Sequence, residues 1–245
     1  MAMPNLMKEK IAGGEPAFGV SIMFPSPQIV EMLGHAGFAW VLLYCEHGSI
    51  GAADIELMAM AADAVGITAI ARPKSNSSSD IQAVMDRGIK GVEVPHIRSK
   101  AEAEWAVESV KFGPEGARGL AVGTRPDRWG FRGKMADFVE SVNAQSLVCL
   151  QIEDAEALPR VDVFFIGPSD LSQSLEHPGN PKAAPVAAAI SETFSKIRVA
   201  GKAPGMPATT DTLDVVREAG CLYVYSHLPK LLGAETMDYL AKAHR

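Results

Sequence analysis

Several chemically capable side chains fall where apolar runs of the chain end. Glu46 and His47 close LLYCEHGS, Arg72 closes IARPKS, Gln151 and Glu153 lie in CLQIED, and Asp170 follows FFIGPS. Two carboxylates brought together repel, and a shared cation or a shared proton is the usual remedy. Glu153 and Asp170 are the pair placed to do this. All-oxygen ligation completed by water suits Mg²⁺ or Mn²⁺, with Co²⁺, Ni²⁺ or Zn²⁺ as alternatives. The two lie 17 residues apart, which is no metal motif in itself. Glu153 capping a short helix and Asp170 starting another fit the spacing equally well.

Arg72 ends a buried run, where a guanidinium suits a carboxylate or a developing oxyanion. An arginine lying along a helix is the plainer reading, and the strand-end position favours the functional one. His47 beside a metal-bound water is a candidate general base, or else a structural histidine. Gly167, Pro168, Ser169 and Asp170 lead from a strand into LSQSL, and the N–H groups of such a first helical turn dock a small carboxylate. An ordinary N-cap explains the same residues, and both can hold. Lys74 invites a Schiff-base reading, but the polar SNSSSD after it does not supply the desolvated amine that chemistry needs. His35, His96, His177, His227 and His244 show no partner in the sequence and read as structural or solvated.

These residues need a scaffold that gathers strand ends. β-rich runs fall at about 17–23, 39–43, 67–71, 90–94, 147–151, 161–166, 202–206 and 221–225, mostly as unbroken apolar stretches, as strands buried on both faces require. Helix patterns such as PQIVEMLGHAG, DIELMAMAADAVG and SDIQAVMDRG alternate with them, several ending in glycine. Eight such units in one chain predict a single (β/α)8 barrel over 1–245, with chemistry at its C-terminal face. A doubly wound sheet is the alternative, but no Gly-x-Gly-x-x-Gly follows the first strand. Residues 95–146 exceed a plain crossover and carry GPEGARGLAVGTRPDRWGFRG, which predicts a cover over the site. The link from Leu150 to Asp162 is barely long enough for a crossover, so its helix should shrink to a turn or two.

The 245 residues are 47% hydrophobic with a mean hydropathy of +0.08, enough for one sizeable core. A net charge of −6 with no basic run argues against nucleic acid and anionic membranes as partners. No signal peptide or 18-residue apolar span is visible, and Cys45, Cys149 and Cys221 are scattered among apolar neighbours. Reduced thiols in a cytoplasmic protein are expected.

Taken in order, AGFAWVLLYCEHGSI, IARP, GVEVPHIRSKAEAEWAV, GPEGARGLAVGTRPDRWG, CLQIEDAEAL, VDVFFIGPSDLSQSLEHPGNP and AGKAPG resemble the HpcH/HpaI family of metal-dependent (class II) pyruvate aldolases. The resemblance runs from about 17 to 230, and QIE followed by FIGPSDLS is its most specific part. It implies a (β/α)8 barrel assembling as homotrimers or homohexamers, with the last helix (about 229–242) on a neighbouring subunit. It implies cleavage or formation of 4-hydroxy-2-oxo acids from a 2-oxo acid and an aldehyde through a pyruvate enolate. Glu153 and Asp170 then resemble the metal ligands, Arg72 the group at the pyruvyl oxygen, and Gln151 a residue near the pyruvate. His47 resembles the base acting through water, and Gly167, Pro168 and Ser169 the cradle of the carboxylate. Members commonly have aspartate three residues before the histidine. Here that position is Tyr44, which supplies no negative charge near neutrality. The run from Glu153 to Asp170 is also short for the family.

Two other functions compete. A lyase or hydrolase of CoA thioesters, as in citrate-lyase β-type barrels, would need cations for the CoA phosphates, and Arg125, Arg128 and Arg132 are the candidates. A non-catalytic barrel that binds a 2-oxo acid is the other, and Tyr44 favours it.

Overall fold

The computed structural model describes residues 4–131, 133–152 and 160–244. Eight parallel strands close into a barrel in chain order: β1 (Ala17–Ile22), β2 (Trp40–Tyr44), β3 (Thr68–Arg72), β4 (Gly91–Ile97), β5 (Leu147–Ile152), β6 (Val163–Phe165), β7 (Ala203–Pro207) and β8 (Tyr223–His227). Each expected strand is present. The (β/α)8 reading holds.

The helices are α1 (Leu6–Ala12), α2 (Pro27–His35), α3 (Ala52–Val65), α4 (Ser78–Met85), α5 (Lys100–Val110), α6 (Met135–Gln145), α7 (Pro168–Ser174), α8 (Ala184–Val199), α9 (Leu213–Glu218) and α10 (Leu228–Ala243). Local chemistry sets their ends. Ser77 and Ser99 accept hydrogen bonds from the Asp80 and Glu102 amides at the starts of α4 and α5, and α3 stops at Gly66 with φ 74°.

Strand alternation explains the unbroken apolar runs. Trp40, Leu42, Ile70, Cys149, Phe165, Tyr223 and Tyr225 belong to one cluster that fills the barrel interior. Their neighbours Val41, Leu43, Val148, Leu150, Phe164 and Val224 join the layer between strands and helices. Both faces are therefore apolar, as expected of a parallel sheet. The interior is aromatic: the Trp40 and Tyr223 rings lie 4.4 Å apart. Trp40 fits only because Gly19 faces it, since a Cβ there would lie 2.4 Å from the indole.

The same alternation carries polar side chains inward at the C-terminal ends. Tyr44 and Arg72 are register partners across β2 and β3, as Ser21 and His227 are across β1 and β8. Glu93 in β4 and Gln151 in β5 share the inward phase of their strands.

The long β4–β5 connection departs from expectation. The sequence places a cover over the site within 95–146, yet the irregular part of this segment lies at the opposite end of its own barrel. The chain returns along α5 to the N-terminal ends of the strands, where Lys111 Nζ donates to the Ser146 carbonyl at 3.0 Å. Arg118 then pairs with Asp86 at 2.5 Å, just beyond α4, and Arg125 with Asp63 at 2.7 Å, near the end of α3. These pairs hold the segment away from the C-terminal rim. The expected short helix between β5 and β6 falls on 153–159, outside the described residues.

Candidate active site

Arg72 is the last residue of β3, one position earlier than a strand-end reading implies, and its side chain is only 4% exposed. Its Nε lies 2.6 Å from Glu46 Oε2, without the alignment of a hydrogen bond, so that contact is electrostatic. Its Nη1 donates to Glu93 Oε1 at 3.3 Å, and the guanidinium sits 4.8 Å from the centre of the Tyr44 ring. Glu93 is fully buried, and Tyr223 Oη donates to its second oxygen at 2.7 Å.

Burial pushes the Glu93 carboxyl above the ordinary carboxylate range, against the pull of Arg72 and the Tyr223 hydrogen bond. Burial would lower the Arg72 pKa, but Glu93, Tyr44 and Glu46 outweigh it and the guanidinium stays charged. Burial raises the Tyr44 phenol to about 12. Tyr44 thus offers the site a neutral ring and hydroxyl, not a charge.

Gln151 and Asp170 meet on the facing side. Asp170 is in the first turn of α7, and Gln151 Nε2 donates to its Oδ2 at 2.6 Å. Gln151 Oε1 is buried with no partner. The two side chains line a cavity of about 60 Å³ together with His96, Arg98, Gly167 and Leu171. Gly167 leaves this space open: a Cβ there would lie 2.7 Å from Asp170 Oδ2 and 2.9 Å from Gln151 Nε2.

Three histidines surround the rim. His47 is 64% exposed, stacks on Tyr44 at 5.8 Å and lies 3.9 Å from Glu46 Oε2. His96 Nε2 is 2.7 Å from Glu46 Oε1. His227 is within 3.3 Å of Ser21 Oγ, and burial, with Lys230 and Arg72, lowers its pKa below the usual imidazole value. His96 and His227 therefore have partners that the sequence alone did not reveal.

Gln151, Gly167 and Asp170 thus gather at one cavity, and Arg72 and His47 meet at Glu46. Glu153 lies outside the described residues. Sequence reasoning missed Glu93, whose signal was a carboxylate inside the apolar run GVEVPHI. It also set aside His96, for which no local signal exists, because Glu46 is 50 residues away. The CoA candidates do not reach this site: Arg125 and Arg128 line a cavity at the other end of the barrel, and Arg132 is outside the described residues.

The donors on view fit a hard divalent cation. They are oxygens, one of them the unpartnered Gln151 Oε1 beside the Asp170 carboxylate, in a cradle that a side chain at Gly167 would fill. Among the described residues no group of three or more His, Cys, Asp or Glu side chains is placed to hold a metal ion.

These features define a (β/α)8 barrel with a carboxylate- and arginine-bearing site at the C-terminal rim. The chain belongs to the HpcH/HpaI aldolase/citrate lyase family, whose model matches residues 21–223. It is 32% identical to a 4-hydroxy-2-oxo-heptane-1,7-dioate aldolase of Klebsiella pneumoniae over 250 residues, covering 98% of this chain and 93% of that one. It is 30% identical to a hydroxypyruvate/pyruvate aldolase of Sagittula stellata, covering 90% of each. Among solved structures, an HpcH/HpaI aldolase/citrate lyase family protein from Burkholderia cenocepacia superposes with a TM-score of 0.91 at 28% identity, covering 98% of this chain and all of that one.

Proposed function

We propose that the protein is a carbon–carbon lyase, a pyruvate aldolase that cleaves or forms 4-hydroxy-2-oxo acids. The observation that carries this reading is the Gln151–Asp170 pair, with an unpartnered amide oxygen, at a small cavity on the rim of a barrel of this family.

Asp170 and Glu153 would hold a divalent cation, Mg²⁺ or Mn²⁺ by donor type. When bound, it supplies Lewis acidity toward the oxygens of the oxo acid. The protein's own groups do the rest. The backbone of Gly167, Pro168 and Ser169, at the start of α7, receives the substrate carboxylate, and Gln151 fixes its orientation beside Asp170. Glu46 and Glu93 turn Nε and Nη1 of Arg72 toward themselves, leaving Nη2 for the charge that develops on the C2 oxygen. The hydroxyl proton needs an imidazole near Glu46. His47, the candidate from the sequence, is one of two there.

The exposed Leu232, Met237, Tyr239 and Leu240 of α10 support assembly into a homotrimer or homohexamer through this helix. No helix of the described residues is long and apolar enough to cross a membrane. Three free, buried cysteines suit the cytoplasm.

Incubation with 4-hydroxy-2-oxo acids and Mg²⁺ or Mn²⁺ tests the reading. Pyruvate should appear, cease with EDTA and resume with added metal. Cleavage of a CoA thioester instead, or binding of pyruvate without turnover, would replace it.

A further inference from the structure

We infer that His96, oriented by Glu46, is the group that takes the hydroxyl proton in carbon–carbon cleavage. The inference rests on the aldolase reading above and assigns its proton step. His96 Nε2 lies 2.7 Å from Glu46 Oε1, whereas His47 approaches the other oxygen only to 3.9 Å; both rings are more exposed than buried (57% and 64%), so the shorter contact is what separates them. A carboxylate only accepts, so the His96 Nε2 carries the hydrogen and Nδ1 is left as the ring's acceptor. Glu46 is itself held by Arg72. A carboxylate that orients one imidazole and also touches the oxyanion-binding arginine couples the two halves of the reaction.

The backbone points the same way. His96 has φ 56°, a conformation that side-chain-bearing residues seldom adopt, within β4. The β4–β5 pairing shifts register between Val94 and Ile97, on either side of it. The irregularity aims one residue out of strand phase, and that residue lines the cavity of Gln151, Gly167 and Asp170.

The step balances. The 4-hydroxyl proton moves to His96 Nδ1, and the O–H electron pair becomes the new carbonyl bond of the aldehyde. The C3–C4 bond breaks, and its electron pair enters the C2–C3 double bond of pyruvate enolate, with the negative charge on the C2 oxygen. Protonation at C3 then yields pyruvate and restores neutral His96.

Oxaloacetate separates this role from a structural one. Its decarboxylation passes through the same enolate but has no hydroxyl proton to remove. His96→Gly suits the left-handed backbone, so the fold should survive the substitution. In this variant kcat for aldol cleavage should fall by about 100-fold or more, while decarboxylation stays within about threefold of the parent enzyme. Added imidazole should recover roughly tenfold of the lost cleavage. Unchanged cleavage, equal loss of both reactions, or loss of cleavage in His47→Ala but not in His96→Gly would each overturn the inference alone. If the parent enzyme performs neither reaction with metal present, the aldolase reading itself fails and takes the inference with it.

Discussion

Tyr223 and Glu93 join opposite walls of the barrel: the phenol on β8 donates to the carboxylate on β4 at 2.7 Å, across 130 residues of sequence. The other Glu93 oxygen accepts from Arg72. An aromatic residue of the interior thereby fixes the cation of the rim.

Removing the hydroxyl should be felt in stability. Tyr223→Phe leaves one oxygen of a fully buried carboxylate unpartnered, which costs about 1–3 kcal/mol. Urea unfolding measures it, and a midpoint equal to that of the parent would show the bond to be idle.

Deleting the carboxylate should cost more. Glu93→Ala leaves Arg72 buried with Glu46 as its remaining ion-pair partner, a loss of roughly 3 kcal/mol. The freed guanidinium should also hold the substrate less well, raising KM as well as lowering stability. Steady-state kinetics on folded protein reads the second effect separately.

Asp170→Ala should abolish binding of Mn²⁺ and turnover while the barrel stays folded. Titration calorimetry with Mn²⁺ beside circular dichroism distinguishes a lost ligand from a lost fold. Retained metal affinity would move the cation elsewhere.

Gly167→Ala tests the cradle from the other side. The added methyl would lie 2.7 Å from Asp170 Oδ2, so the Gln151–Asp170 pair must shift. Activity should drop by about tenfold or more, since misplacement of about 1 Å is enough for such losses. Thermal stability should change far less than turnover.

His227 predicts an acid sensitivity. Burial, then Lys230 and Arg72, depress its folded pKa below the unfolded value of about 6.5. Below that pH the unfolded chain takes up a proton that the folded chain resists, so stability falls as pH drops from about 6.5 toward the depressed value. His227→Gln should flatten the dependence of Tm on pH in that window. Parallel curves for parent and variant would mean the imidazole is not held neutral.

The barrel was legible in the sequence because parallel strands buried on both faces read as apolar runs, and each run ends in a recognisable turn. Arg72, Gln151 and Asp170 were legible because they sit just where those runs stop. Glu93 was not, since a strand-end search passes over a carboxylate in mid-strand that faces the interior. His96 escaped for another reason: its partner Glu46 follows β2, and only the pairing of β3 with both β2 and β4 brings the two strand ends near each other. The site of the Arg/Gly-rich segment was misplaced because a long connection shows its length in sequence but not the end of the barrel it occupies. The pairs of Arg118 with Asp86 and Arg125 with Asp63 decide that, and each needs the helices in place first.

Closure of the sheet has one more consequence. With β8 hydrogen-bonded to β1, no strand among the described residues presents an open row of amides and carbonyls to templating by another chain. Self-recognition must therefore run through side chains on helices and loops. Copies that meet do so without extending a ladder, and runaway stacking of sheets is closed to the folded molecule.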